Sequence, residues 1–132
     1  MTVIPLRGHD GRFASHAPAG PRYSLDQARE IYQAYLAAVC QHQDLRPREV
    51  ERQLARPGKP NVDIQWRRAA YARQLALYLA NTAHNVPQKL LAEVAGITPA
   101  AVCLALKAIE DLRDIRSFDT RVDIVAAEMR IS

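Results

Sequence analysis

Cysteine, glycine and long apolar runs are scarce in this sequence of 132 residues, and each shortage excludes a class of protein. Cys40 and Cys103 are its two cysteines, and neither lies beside a histidine or a second cysteine at the spacing of metal ligands. We therefore expect two reduced thiols in or near a core. No apolar run reaches the roughly 18 residues that a membrane-spanning helix needs, and the segment "MTVIPLRGHDGRFASH" lacks the apolar stretch of a signal peptide. These absences predict a soluble, cytoplasmic protein without a membrane partner.

The sequence also lacks the motifs of nucleotide binding and of catalysis. None of its five glycines, at positions 8, 11, 20, 58 and 96, begins the Gly-x-x-x-x-Gly-Lys-Ser/Thr motif that holds phosphate groups. His42 and His84 lie on different predicted elements, and no serine or cysteine has a base at motif spacing. We therefore expect no enzymatic activity, no catalytic residues, no bound nucleotide, no metal and no cofactor.

Positive charge is concentrated in one stretch of the chain. The formal net charge is +4 at pH 7 and the isoelectric point is near 9.4, which permits a nucleic-acid partner. Residues 46–73 hold eight lysines and arginines and three acidic residues, whereas residues 24–45 and 74–132 are slightly negative. Residues 1–23 hold three of the five glycines and three of the eight prolines, and we predict a flexible basic arm there. Residues 24–132 would then form one domain.

Apolar residues recur at helical spacing along residues 24–132, and no segment alternates with the period of two that is typical of a strand. The expected fold is therefore all-α, a compact bundle of about six helices. The helix start signals are Ser24 with Gln27 as a capping box, Pro47, Asp63 or Asn61, Thr98, and Ser117. The predicted helices cover residues 25–42, 47–55, 64–82, 88–95, 99–114 and 118–129.

Two of these helices fit a helix-turn-helix. In "LLAEVAGITPAAVCLAL", Ala92 is followed four residues later by Gly96, and Val102 comes six residues after Gly96. Two helices that cross at about 100° need a small residue at their contact, a residue that tolerates positive φ in the turn, and an apolar plug on the second helix. Thr98 can cap the second helix, with Pro99 at its first position. An ordinary helical hairpin inside a core is the alternative.

The second helix of this unit has a weakly polar outward face. With Val102 at the core, four further residues lie on the same side: Ala105, Leu106, Ile109 and Leu112. The residues that point away are Ala100, Leu104, Lys107, Ala108 and Asp111, with Cys103 on the flank. Alanine and leucine can contact thymine methyl groups, lysine can reach guanine or a phosphate, and a threonine hydroxyl can bond a phosphate. The candidate base or groove contacts are Thr98, Ala100, Cys103, Leu104 and Lys107.

Segments outside the helix-turn-helix also occur in a recognisable order. The run "ARQLALYLA" precedes "LLAEVAG" and "VCLALKAIEDL", and an amphipathic helix followed by "QDLRPREV" comes before them all. In this order, the segments from about Ser24 to Met129 resemble the C-terminal DNA-binding domain of the bacterial replication initiator DnaA. The resemblance implies a helical fold like that of the Trp repressor, double-stranded DNA as partner and a place in the nucleoid. It also implies a regulator of transcription or of replication initiation.

The family's DNA contacts are only partly present here. Its recognition helix begins with an Asp-His-Thr-Thr tetrad, and the aligned residues in this chain are Thr98, Pro99, Ala100 and Ala101, which removes the family's specificity signature. A phosphate-binding lysine of the family is replaced by Asn81. The family's minor-groove arginine aligns with Arg67, beside Arg68. The predicted phosphate or minor-groove contacts are Arg56, Lys59, Arg67, Arg68, Arg73 and Lys89.

The arginines and aromatic residues have alternative interpretations. The arginines of the third helix could form exposed ion pairs on a solvated face, although three acidic residues are too few to neutralise the eight cations of residues 46–73. Trp66 and the tyrosines could stack on bases, but their spacing with neighbouring apolar residues favours core or groove-lining positions. A phosphate-binding surface accounts best for the excess of positive charge.

A protein partner is the alternative to DNA. Ala100, Cys103, Leu104 and Ala108 could form a small apolar patch for a partner helix or for a second copy of the chain. In that case the helix-turn-helix would be a scaffold for dimerisation that no longer binds DNA. Leu104 is the residue that separates the two interpretations, because a leucine can contact either a thymine methyl group or a protein.

Overall fold

A computed structural model describes residues 22–57 and 63–131, with side chains described as far as Met129. In this range it contains six α-helices: α1 (Leu25–Gln43), α2 (Pro47–Leu54), α3 (Ile64–His84), α4 (Gln88–Ala95), α5 (Pro99–Leu112) and α6 (Arg116–Ile131). The described residues contain no strand, so the prediction of an all-α bundle of about six helices is confirmed. Lys59, Asn61 and residues 1–21 of the predicted arm lie outside the described residues.

Capping side chains start three helices where the sequence predicts them. The Ser24 hydroxyl accepts the Gln27 backbone N–H at 3.1 Å, and the Gln27 side chain accepts the Ser24 N–H at 2.9 Å. The Asp63 carboxylate accepts N–H groups of the first turn of α3. The Thr98 hydroxyl accepts the Ala101 N–H at 3.0 Å. Each side chain satisfies an N–H that no helical carbonyl can reach, which sets where α1, α3 and α5 begin.

The last helix begins earlier than the sequence predicts. Helix α5 ends at Leu112, whose carbonyl accepts the Ile115 N–H at 2.9 Å in a tight turn. The Ile115 carbonyl in turn accepts the N–H groups of Phe118 and Asp119, both at 3.0 Å. The backbone is therefore already helical at Ser117, and the prediction that this residue caps α6 is wrong. The tight turn leaves no extended residue at which a serine cap could form.

Helix α3 forms the centre of the bundle. It packs chiefly against α1, α2 and α5, and its six consecutive residues from Leu75 to Ala80 are each exposed by 5% or less. The other helices bury large side chains around it, among them Tyr35, Val50, Leu91, Val102, Ile109 and Val122. Burial of each valine, leucine or isoleucine stabilises the fold by roughly 1.5–3 kcal/mol. No charged or polar side chain of the described residues is buried in this core.

Polar side chains fasten the end of α5 to α3 and α6. The Arg113 guanidinium donates to Asp119 at 2.6 Å and to Asp123 at 2.9 Å, and it lies 5.8 Å from the centre of the Tyr78 ring. The Tyr78 hydroxyl donates to Glu110 at 2.8 Å. Burial acts to lower the pKa of Arg113, but hydrogen bonds with Asp119 and Tyr78 outweigh it and raise that pKa. These contacts fix the orientation of α5 on the bundle.

The chain joins the bundle just before α1. The Tyr23 hydroxyl donates to the His84 carbonyl at 2.6 Å, and the Tyr35 hydroxyl lies 2.8 Å from Nδ1 of the same histidine. Tyr23 also packs against the core, although the sequence assigns it to the N-terminal arm. The residues just before α1 are therefore tied to the end of α3.

Candidate functional site

The turn between α4 and α5 has the geometry that the sequence predicts. Three residues separate the helices, which are bent by 104°. Gly96 has a φ of +71°, in the left-handed region that favours glycine, and the Ile97 N–H closes the end of α4 by donating to the Ala92 carbonyl at 3.0 Å. An angle of about 90–120° across a turn of three or four residues is typical of a helix-turn-helix. The positive φ expected at Gly96 is confirmed.

The angle between α4 and α5 also bears on membrane insertion. Within the described residues, no helix is by itself long and apolar enough to cross a bilayer. Helices α4 and α5 satisfy the length and composition requirement only as a pair, and the pair is bent by 104° at the turn between them. Val102, Ala105 and Ile109 of α5 are buried against the rest of the bundle.

The two sides of α5 divide as its helical period requires. Val102 and Ile109 are fully buried and Ala105 is 7% exposed, which confirms the predicted inner side. The opposite side, which we call the outward face of α5, consists of Ala100, Cys103, Leu104, Lys107 and Asp111, all exposed. Leu104 is 69% exposed, the highest value among the large apolar residues described. Ala108 is half-buried, so this predicted member of the face belongs to its border.

The first turn of α5 presents polar atoms beside this face. Thr98 and Pro99 are exposed, and the Thr98 hydroxyl is occupied as the helix cap. Pro99 occupies the first helical position, where its missing N–H costs no helical hydrogen bond. The backbone N–H groups of this turn carry the positive end of the helix dipole. A negatively charged group at the start of α5 would therefore be stabilised.

Three of the predicted cationic contacts lie around the turn and the outward face. Lys89 on α4 and Lys107 on α5 are exposed, and Arg73 on α3 lines a small cleft together with Gly96. Burial raises the pKa of Tyr32 to about 12, while the charge of Arg73 acts in the opposite direction. Among the residues that the structure describes, these three cations form no ion pair with a carboxylate, although Glu51 lines the same cleft as Arg73. Lys89 and Lys107 are exposed and can reach a partner.

Arg56 does not have that freedom. Its guanidinium pairs with Asp63 at 2.9 Å and also donates to the Gln53 side chain. The hydrogen bond from Arg56, with a further one from the Gln65 backbone N–H, lowers the pKa of Asp63. Arg56 therefore joins the end of α2 to the start of α3 as an ion pair with Asp63. Asn81 also has a partner within the protein, since its side chain donates to the Val86 carbonyl at 3.0 Å.

Arg67 and Arg68 lie elsewhere, in a cleft of about 960 Å³ between the first half of α3, the end of α1 and helix α6. We call it the arginine cleft; it is defined by Arg67, Arg68, Arg121, Trp66, Tyr71 and Phe118. Helix α5 contributes only its last residue, Leu112, to this lining. Because the 14 residues of α5 rise over roughly 21 Å, the start of the outward face and this cleft lie at opposite ends of the helix.

Two residues of the arginine cleft had no signal in the sequence. Phe118 and Arg121 come from α6, and the Tyr71 ring meets the Phe118 ring edge-on at 5.8 Å between centres. Burial raises the pKa of Tyr71, while the charge of Arg121 acts to lower it. Trp66 is half-buried here, as expected for a groove-lining residue. The helices that meet in this cleft are distant in sequence, so no local spacing could have predicted it.

The cysteines and histidines form no reactive centre that the structure describes. Cys40 is buried, which raises the pKa of its thiol to about 11, whereas Cys103 is exposed rather than in the core. His42 pairs with Glu128 at 3.0 Å, whereas His84 contacts Tyr35. Within the described ranges, no three His, Cys, Asp or Glu side chains gather closely enough to hold a metal ion.

Comparison of the chain with models of known protein families, with curated proteins and with solved structures found no match in any of the three. The resemblance to the DnaA domain therefore stays a prediction. The geometry and charge of the chain's own surfaces carry the functional conclusion.

Proposed function

We propose that this chain is a non-enzymatic protein that binds duplex DNA, with α5 as the helix that enters the major groove. The observation that carries the proposal is the α4–α5 unit, which combines a three-residue turn, an angle of 104° and an exposed outward face on the second helix. Helix-turn-helix proteins place the second helix in the major groove while the first crosses the backbone. The hydrogen bonds from Arg113 to Asp119 and Asp123, just after the end of α5, would hold this helix in a fixed direction against the DNA.

The charges around the unit support a phosphate contact on each side of α5. Lys89 lies on the first helix of the unit, Lys107 on the second and Arg73 beside the turn. Cations without an internal carboxylate partner can neutralise DNA phosphates and release their counterions. The start of α5 adds backbone N–H groups that favour a phosphate. Arg67 and Arg68 are left out of this interface because they line the arginine cleft.

The outward face would discriminate weakly between base pairs. Ala100 and Leu104 offer methyl groups to thymine, and Lys107 offers one charged donor to guanine. The face has no arginine, asparagine or glutamine that could form a bidentate base contact, each of which is worth roughly 1–3 kcal/mol of discrimination. DNA shape would supply the remaining specificity. By resemblance to the DnaA domain, we infer a nucleoid-associated regulator of transcription or of replication initiation.

One observation favours a second candidate, a dimerisation or protein-interaction module. Leu104 is 69% exposed and lies among Ala100 and Cys103, so the outward face is apolar apart from Lys107 and Asp111. Exposed apolar patches often bind a partner protein. This function would use the same face and would therefore exclude DNA from it.

A salt titration of duplex binding tests the proposal. A labelled 20-base-pair duplex of random sequence is titrated with the full chain between 50 and 200 mM salt. Three phosphate contacts, by Arg73, Lys89 and Lys107, predict an affinity that falls at least about 40-fold over this range. No binding at 50 mM salt would remove the proposal.

Sedimentation of the parent and of Leu104→Glu separates the two candidates. A parent that is monomeric and binds the duplex supports the DNA function. A parent that dimerises and becomes monomeric in Leu104→Glu supports the interaction module. In that second case the double variant Arg73→Ala and Lys89→Ala would leave the dimer intact, since neither cation belongs to the outward face.

A further inference from the structure

The arginine cleft gathers positive charge without a carboxylate of its own. Arg67, Arg68, Arg121 and His42 line it. Among the described residues, no aspartate or glutamate belongs to the lining, although the carboxylate of Glu128 pairs with His42 at 3.0 Å. A lining of one sign attracts an occupant of the opposite sign. The occupant of this cleft should therefore be acidic.

The same cleft is apolar between its charges. Trp66, Tyr71 and Phe118 supply aromatic surface, and the Arg121 guanidinium lies 5.9 Å from the Phe118 ring centre. Two exposed isoleucines also belong to the lining: Ile64 from α3, which is 61% exposed, and Ile124 from α6, which is 46% exposed. A small inorganic anion would leave both isoleucines in water. The occupant should therefore carry apolar side chains as well as negative charge.

Several occupants have the wrong charge or too little apolar surface. Residues 1–21 of the chain hold Arg7 and Arg12 against Asp10, so this segment has the same sign as the cleft. A second copy of the chain carries a net charge of +4, which opposes its approach. A nucleic acid supplies phosphates and bases that can stack on Trp66, but its sugar carbons and thymine methyl groups offer the two isoleucines less apolar surface than aliphatic side chains do. An acidic protein segment offers both kinds of group.

We propose that the arginine cleft binds a segment of a partner protein in which Asp or Glu residues are interspersed with aliphatic or aromatic ones. Carboxylates of the segment pair with the guanidiniums of Arg67 and Arg121, whose planar donors suit bidentate contacts. Its apolar side chains cover Ile64 and Ile124 and contact Trp66. Arginine and aromatic residues are enriched at the centres of protein interfaces. The outward face of α5 has no residue in this lining, so the two proposed contacts use different residues.

Trp66 is the single tryptophan of the chain, so its emission reports on the cleft directly. A display library of random 16-residue peptides without tryptophan is selected on the full chain in 150 mM salt. The recovered peptides are sequenced, synthesised and titrated while Trp66 emission is recorded. We expect enrichment of peptides that combine acidic with aliphatic or aromatic residues, and a shift of the emission on binding.

Charge-reversal variants locate the bound peptide. Arg67→Glu and Arg121→Glu should each weaken its binding at least about tenfold, because one carboxylate contact becomes a repulsion. Arg46→Glu makes the same charge change at an exposed residue outside the cleft, and should weaken binding less than about twofold. Circular dichroism checks that each variant folds. Ile124→Ser tests the apolar part of the cleft, since it removes apolar surface without a change of charge. It should weaken binding severalfold.

Four results would overturn the proposal. The first would be a selection that enriches no peptide or only peptides without acidic residues, and the second would be folded cleft variants that bind as tightly as the parent. The third would be displacement of the peptide by a 16-nucleotide oligothymidylate that also shifts Trp66 emission, because the cleft would then be a groove for single-stranded nucleic acid. The fourth would be self-association in sedimentation that Arg67→Glu abolishes, because a second copy would then be the occupant. Duplex binding by α5 is measured separately, so its failure leaves this test unaffected.

Discussion

The outward face of α5 and the arginine cleft are built in opposite ways. The face comes from one helix, with small or aliphatic side chains at Ala100 and Leu104 and one cation at Lys107. The cleft is assembled from α1, α3, the end of α5 and α6, and it combines three arginines with three aromatic rings. The surface with the shape for a DNA groove therefore holds little of the charge, and most of the arginines that suggest a nucleic-acid partner stand elsewhere.

This difference teaches that a cluster of charge in the sequence need not form one surface. Residues 46–73 hold eight cations, yet the structure sends Arg73 to the turn beside Gly96, Arg67 and Arg68 to the arginine cleft, and Arg56 to an ion pair with Asp63. Successive residues of a helix are rotated by about 100°, so Arg73 lies roughly 120–140° around α3 from Arg67 and Arg68 and faces a different side of the bundle. The number of cations in the sequence sets how strongly the whole chain attracts DNA, but it does not say which surface the DNA would contact.

The largest expected effect is a charge reversal on the outward face. Lys107→Glu should weaken binding of a duplex on the order of 30-fold, because a phosphate contact becomes a repulsion. Arg121→Glu is the matched control in the arginine cleft and should weaken binding less than about threefold, through long-range electrostatics alone. Anisotropy titrations at 100 mM salt measure both variants. Equal losses would break the comparison, since the face and the cleft would then form one DNA surface.

A smaller effect is expected at the turn that aims α5. Gly96 has a φ of +71°, and a Cβ added there would meet no atom within 4 Å, so the cost of Gly96→Ala is backbone strain alone. We expect a loss of about 1 kcal/mol in the free energy of unfolding. Gly96→Asn is the control, because asparagine tolerates this conformation, as Asn85 does here at a φ of +59°. Urea denaturation compares the two, and an alanine variant as stable as the parent would contradict the turn geometry.

The smallest expected effect concerns Leu104. Since its side chain is 69% exposed, Leu104→Ala should change the free energy of unfolding by less than about 0.5 kcal/mol. The same truncation on the inner side, Ile109→Ala, should cost about 3 kcal/mol because Ile109 is fully buried. Duplex affinity should fall only about threefold in Leu104→Ala, as one methyl contact is lost. A stability loss at Leu104 equal to that at Ile109 would mean that the face is covered.

Features set by residues close in sequence could be predicted, whereas features set by contacts between distant elements could not. The caps at Ser24, Asp63 and Thr98, the positive φ of Gly96 and the inner side of α5 follow from hydrogen-bond needs and helical period within a few residues. The start of α6 was missed because a backbone carbonyl, at Ile115, replaced the side-chain cap expected from Ser117. The exposure of Cys103 agrees with its expected place on the flank of α5, among the candidate groove contacts.

By itself, the sequence determined that this chain folds as helices, where most of them begin, and which side of α5 turns inward, because capping and helical period act between near neighbours. Only the tertiary structure decided which cations remain unpaired and where they stand. It brought Arg121 and Phe118 of α6 to Arg67 and Tyr71 of α3, and it left Leu104 uncovered. Contacts between distant segments depend on how whole helices pack, and the spacing of residues along the chain does not contain that information.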